Sequence, residues 1–268
     1  MGLISFSKYQ GTGNDFILID DRESNFSFDT SIISKLCHRQ YGIGADGLIL
    51  LKTSKHADFR MRIFNSNGRE AKMCGNGLRC LIGFLKELGI EKKVYQIETG
   101  NGLYLCENKG QDVNITFPAL HRIETGKVLN VLGDSVDFTL IDTGAIHFVS
   151  FVENITDPRF VEKARYLRSH PLFSQRKVNV NFAKLRNKSE IAIRTFEEGV
   201  EAETFSCGTG AAAVCFTAHH VYGIGGKVSA CFLSQERLEF DLLIQNRILE
   251  VLTMKGPFIP VFKGTLEN

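Results

Sequence analysis

The chain has 268 residues, 43% hydrophobic and 23% charged, an ordinary mixture for a protein that buries a sizeable core. With 32 basic and 30 acidic residues the net charge is +2, which leaves no footprint for a nucleic-acid partner. No apolar run approaches the roughly 18 residues of a membrane helix, no signal-peptide pattern opens the chain, and seven cysteines, an odd number, fit free thiols in a reducing, cytoplasmic compartment.

Residues 4–21, ISFSKYQGTGNDFILIDD, read as strand, glycine-rich turn, strand. Asp29 is an N-cap candidate for a helix with apolar positions at Ile32, Ile33, Leu36 and Cys37, stopped by Gly42. GLILLK (47–52) and FRMRIFN (59–65) follow as strands, and Asn67-Gly68 is a hairpin signal. GNGLRCLIGFLKELGI (75–90) predicts a helix with Leu78, Leu81, Ile82, Leu85 and Leu88 on one face and Gly89 at its end. Strands run through YQIETGNGLYLCE (95–107) and DVNITFP (112–118), where Pro118 ends the run.

The plan then repeats. FTLIDTGAIHFVSFV (138–152) is strand, turn, strand; NVNFAKL (179–185) and EIAIRTFEEG (190–199) are strands. GTGAAAVCFTAHHVYG (208–223) is a helix that is apolar nearly all round, hence buried. KVSACFL, RLEFDLLI and RILEVLT close the half as strands. The dense basic stretch RKVNVNFAKLRNKSE (176–190) reads as a solvated face or strand edge. Cys-Gly-x-Gly stands twice, at Cys74 and Cys207, and the turns TGND (12–15) and TGAI (143–146) recur at nearly the same offset and in the same order. Two such pairs point to an internal duplication: two similar α/β halves, with the cleft between them as the expected site.

GIGADG (42–47) matches a dinucleotide fingerprint, but a helix precedes it, a strand follows it, and Arg60 and Arg62 stand where an acid is needed. A tight turn is the better reading. No C-x-x-C occurs and the Cys and His spacings fit no zinc set, so no metal is expected.

A thiol at a helix N-terminus meets the positive end of the dipole and free N–H donors, which raises its thiolate fraction. The same N–H groups bind a carboxylate, and glycines let it approach the backbone. Two such helix ends facing one cleft would hold a carboxylate between two thiols. One thiolate then removes the proton beside the carboxylate and the opposite thiol protonates the other face, inverting the stereocentre. The remaining cysteines read as small buried hydrophobes, Cys80 facing its helix interior.

FNSNGREAKMCGNGLRC, ETFSCGTGAAA, KYQGTGNDFILID and the closing KGPFIPVFKGTL resemble diaminopimelate epimerases, isomerases that convert LL- to meso-diaminopimelate without pyridoxal phosphate or any other cofactor. The resemblance covers nearly the whole chain. It implies an α/β protein of the α+β type with two pseudo-symmetric halves, each a curved, mostly antiparallel sheet around a central helix. The halves would be 1–118, joined by a last strand at 256–268, and 119–255. It implies a small amino-acid substrate, with a homodimer open as the assembly. Cys74 and Cys207 match the catalytic thiols, and Gly75, Asn76, Gly208 and Thr209 the carboxylate cradle. His147 and Glu197 match groups flanking the reacting centre that set the thiols' protonation or orientation. Asn14, Asn65 and Asn179 match substrate-holding asparagines; on residue type alone Asn14 and Asn65 are turn residues, His147 a core histidine and Glu197 a surface acid.

Two departures fall on substrate recognition. The family has Glu-Arg-Gly where this chain has Glu197-Glu198-Gly199, and Gly-Asn-Pro-His where it has Gly144-Ala145-Ile146-His147. The lost arginine grips the substrate's far carboxylate; Arg194 or Lys177 is a candidate replacement. Alternatives are a two-thiol racemase of a smaller amino acid, proline or an acidic one, and a non-catalytic relative that only binds a metabolite.

Overall fold

A computed structural model describes residues 3–24, 26, 29–117, 123–245 and 248–267. The chain divides into two compact units, Met1–Thr116 with Lys255–Asn268, and Phe117–Met254. Pro118 lies outside the described residues.

In the first unit β1 (Leu3–Gly11) and β2 (Asn14–Asp20) form a hairpin over Thr12 and Gly13, both at positive φ. β3 (Gly47–Lys52) runs parallel to β2, and β4 (Phe59–Asn65) antiparallel to β3. A short β5 (Glu70–Ala71) folds back on β4 through the Asn67-Gly68 turn, where Gly68 sits at φ 79°. β6 (Val94–Thr99) joins β4 in parallel, and β7 (Gly102–Lys109) and β8 (Asp112–Phe117) continue antiparallel. β18 (Ile259–Glu267) closes the other edge by pairing with β1.

Two helices serve this sheet. α1 (Thr30–Cys37) is capped by Asp29, whose carboxylate accepts from Ser31 N and Ile32 N. It ends at His38, not at Gly42 as expected, and Ile32 is exposed. Gly42 serves otherwise: a Cβ there would lie 2.1 Å from Lys35 O, so only glycine lets the returning chain cross the helix end. α2 (Gly75–Glu87) is buried from Gly75 to Leu85, with Leu88 and Gly89 beyond its end and Gly89 left-handed.

The second unit repeats the order. β9 (Ile123–Val131) and β10 (Asp134–Asp142) pair antiparallel, and β11 (Ile146–Phe151) pairs with β10. β12 (Asn179–Asn187) runs parallel to β11, and β13 (Glu190–Glu197) antiparallel to β12. β14 (Ala202–Thr204) folds back on β13; β15 (Gly226–Phe232) joins β13 in parallel, and β16 (Arg237–Gln245) pairs with β15. β17 (Ile248–Pro257) follows. The basic stretch proves to be core on its Asn179–Ala183 part, which is buried in β12.

α3 (Phe160–Ser169) was not foreseen; it buries Phe160, Ala164 and Leu167 on the sheet face that carries Phe148, Val180, Phe182 and Phe196. Each such large apolar side chain contributes about 2 kcal/mol on burial. The opposite face receives α4 (Gly208–Tyr222), an alanine-rich helix buried from Gly208 to Ala218 and ended by left-handed Gly223. No helix among the described residues is long and apolar enough to cross a membrane.

Candidate active site

Cys74 and Cys207 take the same place in their two units. Each is the N-cap of the central helix in extended backbone, and each sulfur accepts from the glycine N–H three residues on: Gly77 N at 3.4 Å, Gly210 N at 3.3 Å. The sulfur thus does what a serine or aspartate oxygen does at other helix starts, and both the bond and the dipole favour its thiolate. Gly75 and Asn76 lie buried in the first turn of α2, Gly208 and Thr209 in that of α4. The first-turn N–H groups of a helix have no partner within the helix, and such groups are the usual donors to an anion.

The other thiols have different surroundings. Burial pushes Cys37 and Cys80 up to about 12, and raises Cys106 and Cys215 further. Cys80 is fully buried, as its helical position predicts.

In the first unit a chain of hydrogen bonds surrounds Cys74. Its thiol lies 3.8 Å from Asn14 Oδ1, which also accepts from Asn76 Nδ2 at 3.2 Å. Asn14 Nδ2 donates to Asp46 Oδ2 at 2.8 Å, so the amide is held with its oxygen toward the thiol. Asn76 Oδ1 in turn accepts from Arg79 Nη1 at 2.9 Å. Arg79 is fully buried, and it also donates to Pro257 O and Thr12 Oγ1. Behind Asn14 stands an ion cluster in which Lys8 and Arg39 contact Asp15, and Arg39 also contacts Asp46. Burial opposes ionisation of Asp15, but hydrogen bonds from Arg39 and Lys8 outweigh it and hold the carboxyl at about 2. Asn65 ends β4 opposite Gly47, whose other neighbour is Phe16, so Asn65 shares a sheet end with Asn14. Its backbone makes the turn bonds, donating to Arg69 O and accepting from Gly68 N.

The second unit builds its polar groups differently. His147 is the second residue of β11, Asn179 opens β12 beside it, and Glu197 ends β13. Glu197 Oε1 accepts from Thr204 Oγ1 at 2.5 Å. Asn179 is buried and spends its amide on the backbone: Oδ1 accepts from Glu198 N at 2.9 Å, and Nδ2 reaches Ile146 O at 3.4 Å. His147 is fully buried, and burial pushes its imidazole down to about 3. Thr143 Oγ1 donates to Thr209 O, tying the β10–β11 turn to the start of α4, and Thr209 Oγ1 lies 3.4 Å from Cys207 Sγ.

The chain matches the family description for diaminopimelate epimerase over residues 6–128 and 139–258. It belongs to the diaminopimelate epimerase family. It is 35% identical over 260 residues to the diaminopimelate epimerase of Flavobacterium psychrophilum, covering 97% of this chain and 98% of that one. It is 36% identical over 279 residues to that of Aquifex aeolicus, covering 99% and 98%. Among solved structures, a phenazine biosynthesis protein of the PhzF family from Bacillus anthracis has a similar fold, with TM-score 0.73, 16% identity and all of both chains covered. A hydroxyproline epimerase from Agrobacterium vitis is similar at TM-score 0.72 and 14% identity, covering 98% of this chain and 91% of that one.

Against this family pattern the structure adds residues that motif reading passed over. Asp46 sits inside GIGADG, the match set aside as a tight turn; the turn is real, and its acid orients Asn14. Arg79 lies within the Cys74 motif and holds Asn76. Asn181 and Thr195 are fully buried on β12 and β13. Arg194 is not a free cation for a diaminopimelate epimerase's substrate: Glu203 binds it twice at 2.7 Å, Asp157 O accepts from it, and it stacks on Phe160.

Proposed function

We propose that this protein is a diaminopimelate epimerase that inverts the α-carbon of LL-diaminopimelate to the meso form with two thiols and no cofactor. The observation that carries the reading is the pair of N-cap cysteines, each ahead of Gly-x-Gly at the start of a buried central helix. One cysteine thiolate takes the α-proton. The C–H electron pair moves into the carboxylate, whose developing charge the first-turn N–H groups stabilise. The second cysteine, as thiol, delivers its proton to the opposite face. The two sulfurs end with exchanged protonation states, so the reverse reaction uses the same groups. We assign Asn14, Asn65 and Asn179 to substrate binding, and His147 and Glu197 to the setting of the thiols' protonation or orientation. The reaction belongs in the cytoplasm, and a homodimer is the assembly we assign.

The test is incubation of LL-diaminopimelate in D₂O with chiral separation. Inversion with one solvent deuteron gained at the α-carbon is expected; an untouched α-hydrogen would refute the reading.

A second reading, an epimerase relaxed toward shorter amino acids, draws on Glu198. Its backbone N–H is tied to Asn179, at the position where the family carries the arginine for the far carboxylate. Losing such a charged hydrogen bond costs about 1.5–3 kcal/mol, roughly one to two decades in affinity. The advantage of diaminopimelate over glutamate in kcat/KM should then be small, and Glu198→Arg should widen it. No gain from the arginine would assign the far end to other residues.

A further inference from the structure

His147 holds one of two buried polar side-chain atoms without a hydrogen-bond partner among the described residues: its Nε2. Its other nitrogen, Nδ1, lies 3.1 Å from Asn181 Nδ2. Which of these two atoms carries the hydrogen follows from the neighbours. The same end of the Asn181 amide lies 3.1 Å from Phe148 O, a carbonyl that can only accept. That end is therefore the NH₂ group. The far end, Oδ1, accepts from Thr195 Oγ1 at 3.0 Å. With a donor facing it, Nδ1 must carry the lone pair, and the single proton of a neutral imidazole sits on Nε2.

The arrangement is placed against α4. Along β11 and β12, Phe148, Val180 and Phe182 face α3, so His147 and Asn181 occupy the opposite, α4 face. Asn181 Oδ1 would lie 2.4 Å from a Cβ at Gly210, the residue whose N–H is bonded to the Cys207 sulfur. A buried N–H left open is rare in folded proteins and asks for an acceptor. The fold itself does not require this group. By strand register Phe16, Ile49 and Ile63 hold the corresponding places in the first unit, and all three are buried and apolar.

We propose that His147 acts as a neutral Nε2–H hydrogen-bond donor to an anionic acceptor formed or bound at the start of α4, and that Asn181, held by Thr195, is the positioning residue that fixes this tautomer. The role of the acceptor rests on the epimerase reading above; the tautomer does not. His147 so placed stabilises charge and carries no proton of the reaction.

Protein labelled with ¹⁵N in histidine decides the tautomer by two-bond ¹⁵N–¹H correlation near neutral pH, with His147→Gln assigning the signal. The expected spectrum has a protonated Nε2 and a bare Nδ1. An Nδ1–H form or an imidazolium in the wild type overturns the proposal. In Asn181→Asp the carboxylate must accept, so the tautomer should invert, and kcat should fall on the order of 10²-fold, the usual loss for one preorganised donor, with KM within a few-fold. An inverted tautomer with unchanged kcat also overturns it. Should Asn181→Asp not fold, Thr195→Val and Thr195→Ser carry the same test: valine frees the amide, mixes the tautomers and lowers kcat, and serine restores both. Unmixed tautomers in Thr195→Val would remove Thr195 from the role. Addition of diaminopimelate separates the two acceptors. A shift of the Nε2 proton signal only on binding identifies the substrate, and a shift in substrate-free Cys207→Ser identifies the sulfur. A wild type that binds but does not epimerise diaminopimelate defeats the epimerase reading while leaving the tautomer result standing.

Discussion

The two units place a thiol on the same helix end and then rest that end on opposite chemistry. Beneath α2, Gly77 packs against the methyl ends of Ile49 and Ile63; beneath α4, Gly210 packs against the amide of Asn181. Duplication preserved the strand order, the parallel joins and the N-cap cysteine, while the floor changed from hydrocarbon to a hydrogen-bonded chain of His147, Asn181 and Thr195. The first unit instead carries its polar chain above the floor, from Asp46 through Asn14 and Asn76 to Arg79. Both sulfurs accept a glycine N–H; beyond that bond Cys74 meets the Asn14 oxygen and Cys207 the Thr209 hydroxyl.

The largest test of that comparison removes the sulfurs. Cys74→Ala and Cys207→Ala should each lower kcat by about 10²–10⁴-fold or more, the scale of a lost acid or base. Cys→Ser variants should separate the roles, exchanging the α-hydrogen of one epimer, LL or meso, faster than that of the other in D₂O. Equal exchange of both epimers by both serine variants would show the two floors to be equivalent.

Acid should strike the second unit first. Folding lowers the His147 pKa from 6.5 to about 3, so between these values the unfolded chain binds the extra proton and stability falls as pH drops. At pH 5 the loss is about 2 kcal/mol, from 1.5 pH units at 1.36 kcal/mol each. Asp15 in the first unit, held at about 2, keeps its contribution until the pH falls below about 4. Urea unfolding of wild type and His147→Gln at pH 7.5 and 5 measures this. Equal pH slopes in the two proteins would place the acid sensitivity elsewhere.

The glycines give a smaller contrast. Gly210→Ala drives a methyl to 2.4 Å from Asn181 Oδ1 and should cost about 1–3 kcal/mol. Gly77→Ala meets the terminal methyls of Ile49 and Ile63 at 3.0 and 3.1 Å, which need give way by only a few tenths of an ångström, and alanine's helix propensity returns up to about 1 kcal/mol, so it should stay near neutral. Matched thermal unfolding decides. The mildest test is alkylation. Iodoacetamide should label Cys74 before Cys207, since the former is half-buried and the latter 6% exposed, and should spare Cys37, Cys80, Cys106 and Cys215. Early labelling of Cys80 on peptide mapping would contradict the burial of α2.

Much of this was legible in the letters because it is local. An N-cap cysteine followed by Gly-x-Gly, an Asn-Gly turn and an Ala-rich helix each declare themselves within a few residues. α3 was readable too: Asp157-Pro158 precedes it, Asp157 accepts from Arg159 N, and Phe160, Ala164 and Leu167 are helically spaced. Polar residues make up half of its ten and interrupt that stripe. The His147 floor could not be read in this way. Its three members stand on three strands, two of them joined in parallel, and parallel register is set by packing across a long connection with no local turn to mark it. Asp46 was in plain view but carried the wrong association, a nucleotide pattern.

The edge strand of the first unit has a bearing on how the chain comes off the ribosome. In the second unit β9 pairs with β10 through a two-residue turn, so that edge is complete as soon as it is made. In the first, β1 must wait for β18, with Leu3 paired to Glu267. The half synthesised first is therefore the half finished last. Through most of translation β1 is an open strand whose partner does not yet exist, the kind of edge that invites pairing with a neighbouring nascent chain.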